Sequence, residues 1–214
     1  MKIGILGSGQ VGQRLGNGFL NLGHEVKIGS RDPNSETVQA WITKAGSHVS
    51  SGTFAEAAAF ADVALLATLW SGTENAIKLA GQEHLAGKVV IDATNPLKII
   101  KGTPPALTHG NTDSGGEQVQ RWLPQSKIVK AFNIIGNALM VNPKLPGGPP
   151  DMFICGNDEE AKKTVTEILT AFGWSTIDIG GIEGSRLLEP MCILWVVYGV
   201  RTNSWNHAFK LLRT

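Results

Sequence analysis

Cysteine, tyrosine and long apolar runs are scarce in this chain. Two cysteines, Cys155 and Cys192, in 214 residues can build neither a disulfide framework nor a CxxC metal site. That points to a reduced, cytoplasmic protein without structural zinc. No charge of one sign dominates: 19 Lys and Arg stand against 18 Asp and Glu, for a net +1. No nucleic acid and no anionic membrane is therefore expected as partner. The longest uncharged apolar run, Pro190 to Val200 (PMCILWVVYGV), falls far short of the ~20 residues a spanning helix needs. The apolar stretch after Lys2 stops at Gly7, too early for a signal peptide, and cleavage would remove the strongest motif in the chain. Neither an internal repeat nor a low-complexity tract is found. Against these absences, 42% of residues are apolar, enough for a core and too many for a disordered chain. Glycine, at 26 residues, is abundant, as tight turns and close backbone approaches require.

The first two thirds alternate strand-like and helix-like segments. Strands are expected at Lys2–Leu6, Glu25–Gly29, His48–Ser50, Asp62–Thr68, Lys88–Asp92, Ser126–Ala131, Met152–Cys155 and Trp174–Ile179. Helices are expected from Val11 to Leu22, ended by Gly23, and from an Asp32 cap with Pro33 at its first position through Ala45. Others span Phe54–Phe60, the stretch running to Ala80, a segment opened by Ser114 with Glu117, and one capped by Asn157 with Glu160. The segments 95–116 and 133–150 read as long loops. This alternation predicts an α/β fold, a doubly wound parallel Rossmann sheet. Residues 1–180 would form the nucleotide-binding domain. Residues 181–214 would add two short C-terminal helices that serve as a homodimer interface, because the run Met191–Val200 is apolar all round and must be covered.

Gly7-Ser8-Gly9-Gln10-Val11-Gly12 is a G-x-G-x-x-G that follows a strand and opens a helix, the context that gives the motif its meaning. Gly7 permits the turn, Gly9 lets backbone approach a pyrophosphate, and Gly12 lets helix and strand pack closely. The free N–H groups of the helix start would face the phosphates. Where an NAD site carries an acid at the end of the second strand, this chain has Gly29-Ser30-Arg31. A hydroxyl and a guanidinium suit a 2′-phosphate, so NADP(H) is the expected cofactor. Asp32 is better used as a helix cap.

These residues, together with LLATLW (Leu65–Trp70), IDATNPL (Ile91–Leu97), KAFNIIG (Lys130–Gly136), FICGNDEEAKK (Phe153–Lys163) and SRLLEPM (Ser185–Met191), resemble the NADP-dependent oxidoreductases of the coenzyme F-420 (deazaflavin) reductase type. The chain is also similar to the cytosolic domain of the six-transmembrane epithelial antigen ferric reductases. The resemblance implies a Rossmann domain with a short helical extension, usually dimeric. It implies hydride transfer between NADPH and a flavin or deazaflavin, a planar small-molecule acceptor. By motif position, Ser8 to Val11, Ser30 and Arg31 would hold the phosphates. Leu69 and Trp70 would border the ribose and nicotinamide. Asn95-Pro96 and Asn133-Ile134 would line the nicotinamide and acceptor side.

Hydride transfer between two such rings is done by the cofactors themselves, so no catalytic side chain and no metal is expected. His24, His48, His84 and His207 read as surface or packing residues, with His109 an outside candidate beside Asp113. Asp92 reads as an acceptor of backbone N–H groups in its own turn, Trp70 equally as core or as cofactor wall, and Cys155 and Cys192 as inert thiols. Two alternatives stay open: a non-enzymatic NADP(H) sensor, and a short dehydrogenase or imine reductase acting on a small carbonyl or imine.

Overall fold

The computed structural model of the chain describes residues 1–98, 100 and 103–212. Parts of the expected 95–116 loop and of the C-terminal segment lie outside the described residues. Eight strands form one sheet in the order β10-β9-β8-β5-β4-β1-β2-β3. They are β1 (Lys2–Leu6), β2 (Glu25–Gly29), β3 (Val49–Gly52), β4 (Val63–Leu66), β5 (Val89–Asp92), β8 (Lys127–Lys130), β9 (Asp151–Gly156) and β10 (Ser175–Asp178). The connecting helices are α1 (Gln10–Asn21), α2 (Glu36–Ala45), α3 (Phe54–Phe60), α4 (Trp70–Ala80), the single turn α5 (Gln82–Leu85), α6 (Gly115–Trp122) and α7 (Glu159–Ala171), with α8 (Ser185–Thr202) following the last strand. The central strands β1 and β4 are almost wholly buried, as parallel strands covered on both faces should be. Order reverses between β1 and β4, which opens a crevice at their C-terminal ends.

Several details depart from the sequence expectation. The sheet is not parallel throughout: β9 runs antiparallel to β8, and β10 is parallel to β9. A parallel return needs a crossover, usually a helix. The loop between β8 and β9 carries only a 3-10 turn at Asn137–Leu139, so the chain comes back reversed. Within the long loop before α6, β6 (Leu97–Lys98) and β7 (Ala106–Leu107) form a small antiparallel hairpin. Helix α2 starts three residues later than Asp32 would place it, after Ser35. Asp32 accepts instead from the Asn34 N–H at 3.1 Å, closing a local turn. The cap of α7 is Asp158, which accepts from Ala161 N–H at 2.8 Å, while Asn157 accepts from Ile182 N–H at 2.9 Å. His84 lies in α5. Lys162 on α7 is 5% exposed and paired with Glu159 and Asp178.

The C-terminal segment holds one α-helix of 18 residues rather than two. Pro190 is its sixth residue and deprives only the Arg186 carbonyl of a donor, a small loss so near the start. Left-handed Asn203 ends the helix. Beyond it His207 stacks on Trp195 at 4.7 Å, and Phe209 O accepts from Asp151 N–H at 3.0 Å, tying the tail to β9.

Candidate functional site

The C-terminal ends of β1, β2 and β4 open into a cleft of about 670 Å³. Gly7, Ser8, Gly9, Gln10, Val11, Ser30, Arg31 and Leu69, all expected from the sequence, line it. The three motif glycines divide their work as the pattern predicts. Gly7 adopts φ +132°, and a Cβ there would strike the Ala67 carbonyl. A Cβ on Gly12 would strike the Gly7 carbonyl. A Cβ on Gly9 would meet no protein atom within 4 Å, so its missing side chain leaves space in the cleft.

Two helices open onto this cleft without a side-chain cap. Gly9 precedes α1 and Leu69 precedes α4, and neither offers a capping bond. Thr53, Ser114 and Asp158 cap α3, α6 and α7, while α2, α5 and α8 also begin without a side-chain cap. Uncapped N-termini leave donor groups and a positive dipole end for an anion. Ser8 Oγ and Ser30 Oγ lie 3.2 Å apart, and Ser30 Oγ also accepts from Asp32 N–H at 3.2 Å. With Asp32 engaged in its own turn, the charged side chain at this corner of the cleft is Arg31, largely exposed. The α4 side of the cleft, including Thr68, Ser71, Asn75 and Ala76, together with Phe54 and Ala93, was missed from the sequence. Its only signal was that α4 follows a strand at the point of order reversal.

Trp70, Asn95, Pro96, Asn133 and Ile134 sit off this cleft. Trp70 turns away onto Trp122, ring centres 5.5 Å apart at 28°, and meets the edge of His109 at 5.8 Å. His109 bonds Thr108, while Asp113 pairs with Arg121 instead. Arg121 holds the Asp113 carboxyl below its usual range. Asn95 and Asn133 are brought together: Asn95 Nδ2 donates to Asn133 O at 2.8 Å, and Asn133 Nδ2 donates to Asn95 Oδ1 and Leu188 O, both at 3.0 Å. Phe132, left-handed at φ +63° and fully buried, turns the chain into this arrangement. Such a conformation in a bulky residue persists only where packing enforces it. Pro96 and Ile134 are buried beside the pair.

Beneath the asparagines lies a charged cluster that the sequence did not announce. Lys130 Nζ is 2.9 Å from Asp92 Oδ2, 2.9 Å from Glu189 Oε1 and 2.9 Å from Thr94 O, and all three charged side chains are 0–1% exposed. The Asp92 contact is ionic rather than an aligned hydrogen bond. Asp92 Oδ1 accepts from Thr94 N–H at 2.9 Å and Thr94 Oγ1 at 2.7 Å, the turn role expected for it. Glu189 accepts the Gly115 and Gly116 N–H groups at 3.0 and 2.9 Å, at the start of α6. Burial alone would lower the Lys130 pKa, but Asp92 and Glu189 outweigh it and raise it, so the ammonium stays charged. Burial pushes Cys155 and Cys192 up to about 11, which makes both thiols unreactive. Among the described residues, no group of three His, Cys, Asp or Glu could hold a metal ion, and no helix is long and apolar enough to cross a membrane.

A family model described as NADP oxidoreductase, coenzyme F420-dependent, matches residues 2–96. An F420-dependent NADP reductase of Methanocaldococcus jannaschii is 34% identical over 73% of this chain and 70% of its own. The metalloreductase STEAP3 of Rattus norvegicus is 33% identical over 89% of this chain, which spans 36% of that protein's length. A crystal structure of a candidate F420-dependent NADP-reductase from Arthrobacter sp. FB24 superposes with TM-score 0.94, at 38% identity and full coverage of both chains.

Proposed function

The chain belongs to the coenzyme F420-dependent NADP oxidoreductase family, and on that premise we propose that it passes hydride between NADP(H) and a flavin or deazaflavin. One observation carries the cofactor half of this reading: two uncapped helix starts converge on a cleft where Gly9 leaves room for a pyrophosphate. The residues fit the group. Ser8, Gly9, Gln10 and Val11 offer backbone and hydroxyl donors to the diphosphate, and Ser30 with Arg31 offers a hydroxyl and a guanidinium to the 2′-phosphate. Leu69, 84% exposed on the cleft rim, supplies an apolar surface for the ribose and ring. Asn95 and Asn133 hold each other's amides in one orientation, so that side of the site is rigid before anything binds.

When bound, NADPH supplies the hydride and the acceptor ring receives it. The chain orients the rings and excludes water. Trp70 acts as packing against Trp122, and Ala93, which lines the cleft, would border the nicotinamide. The partner surface is a second copy of this chain. Leu187, Leu194 and Tyr198, 53–66% exposed, recur at helical spacing along one face of α8.

The reading is tested by following NADPH oxidation with a panel of flavins, a deazaflavin, ferric chelates and quinones, beside direct titration with NADPH and NADH. Turnover with a flavin or deazaflavin supports it, and tight binding without turnover favours a sensor. Arg31→Glu should weaken NADPH binding by about a hundredfold while sparing NADH, the scale of a charge-assisted contact turned repulsive. Unchanged NADPH affinity in that variant removes Arg31 from the site.

A further inference from the structure

We infer that the buried Asp92–Lys130–Glu189 cluster biases the cleft toward the oxidised form of the nicotinamide by holding net negative charge behind the wall that Ala93 presents. The inference rests on the cofactor reading above. Two carboxylates and one ammonium leave a net charge of −1. The hydrogen-bond pattern is that of two ionised carboxylates. Asp92 meets the Thr94 N–H and O–H, Glu189 meets the Gly115 and Gly116 N–H groups, and both meet Nζ. Each of these contacts is a donor, which a protonated carboxyl would not need.

The start of α6 offsets part of the charge, about half a unit for a helix end. The nearby Arg186–Glu117 pair is closed on itself, Nε to Oε2 at 2.8 Å, and adds no net charge. The buried thiols Cys155 and Cys192 are neutral. A residual negative charge therefore remains in a region without solvent, where it is screened little.

Its place in the fold aims that charge. Asp92 ends β5, Ala93 immediately after it lines the cleft, and Asn95 follows in the same turn. Lys130 ends β8, three residues before Asn133. The oxidised nicotinamide ring is a cation. The reduced ring is neutral, having gained a hydride at carbon 4, which brings one proton and two electrons. Negative charge behind the ring stabilises the cation more than the neutral form, so it favours the oxidised ring in the cleft. The cluster closes the start of α6, where Glu189 takes the buried Gly115 and Gly116 amides. Its position one residue behind the cleft wall gives it a second effect.

Wild type, Glu189→Gln and Asp92→Asn are titrated separately with NADP⁺ and NADPH, following intrinsic tryptophan fluorescence, with thermal melts to establish folding. The two neutralising changes lie on different elements, α8 and β5. Each should raise the ratio of the NADP⁺ to the NADPH dissociation constant by about fivefold or more, the effect of one unit charge in a poorly solvated region. Glu189→Asp retains the charge at altered geometry. It should weaken both nucleotides while keeping the ratio within about twofold of wild type. Parallel loss of both affinities in the neutralised variants, with the ratio unchanged, reduces the cluster to a packing device and overturns the inference. So does a wild-type protein that binds NADPH more than about tenfold tighter than NADP⁺. If one neutralised variant fails to fold, the other and the wild-type ratio decide. Folded wild type that takes up neither nucleotide defeats the cofactor reading itself, and the inference with it.

Discussion

Gly9 and Gly12 are both motif glycines, yet they should fail differently. Alanine at Gly9 meets no protein atom, so the variant should melt close to wild type while binding dinucleotide about tenfold or more weakly. Alanine at Gly12 runs into the Gly7 carbonyl, so that variant should lose stability first, seen as a lower melting temperature without ligand. Melting curves and titrations on the two proteins check the division. At this scale the sequence was informative wherever chemistry is written in the residue type. The glycine spacing, the place of Ser30 and Arg31 on the cleft, the Asp92 turn and the unreactive cysteines could all be read directly. Lys130 could not be. A lysine at a strand end looks like a solvated one until Asp92 and Glu189, distant in sequence, are seen to meet it.

The elements came through well where periodicity is strong, as in β1, α1 and α3, and less well where caps compete. Asp32 and Ser35 both qualify as a start for α2, and Pro33-Asn34 settles the contest by turning first. Asn157 and Asp158 present the same choice, and the outcome depends on which carbonyl oxygen Ile182 needs. At the start of α6, Ser114 accepts from Glu117 N–H at 3.2 Å and donates to the Glu117 carboxylate at 2.7 Å, while Arg186 of α8 grips the same carboxylate. The Arg186 contact holds the Glu117 carboxyl below its usual 4.5. A depressed carboxylate contributes stability that is present above the unfolded value and lost as pH falls through the folded one. Arg186→Ala should therefore lower the urea midpoint at pH 7, and the difference from wild type should shrink below about pH 4. A pH-independent difference would assign Arg186 a packing role only. Ser114→Ala should cost about 1 kcal/mol, as lost N-caps do.

For the whole molecule, alternation of strands and helices was enough to predict a doubly wound sheet. The reversal of β9 was not visible, because it depends on the absence of a crossover helix in a loop whose composition is silent on direction. The apolar run of α8 needs cover on all sides. Leu188, Cys192 and Trp195 are indeed buried, while Leu187, Leu194 and Tyr198 are left outside. Sedimentation should find a species of twice 22.8 kDa, and Leu194→Glu should convert it to the single-chain mass, since a charge in an apolar contact is not tolerated. A wild-type protein that stays at the single-chain mass removes the second copy from that face.

Glu189 joins parts of the chain far apart in sequence, and this bears on how the polypeptide can be cut. A scissor placed after residue 180 looks harmless on a topology diagram, for the sheet is by then finished. It would leave the Gly115 and Gly116 amides without an acceptor in the interior and take from the Lys130 ammonium one of its two carboxylate partners. The shortened product should be insoluble or rapidly digested by protease, and the closing helix is better regarded as the stopper of the vessel than as its handle.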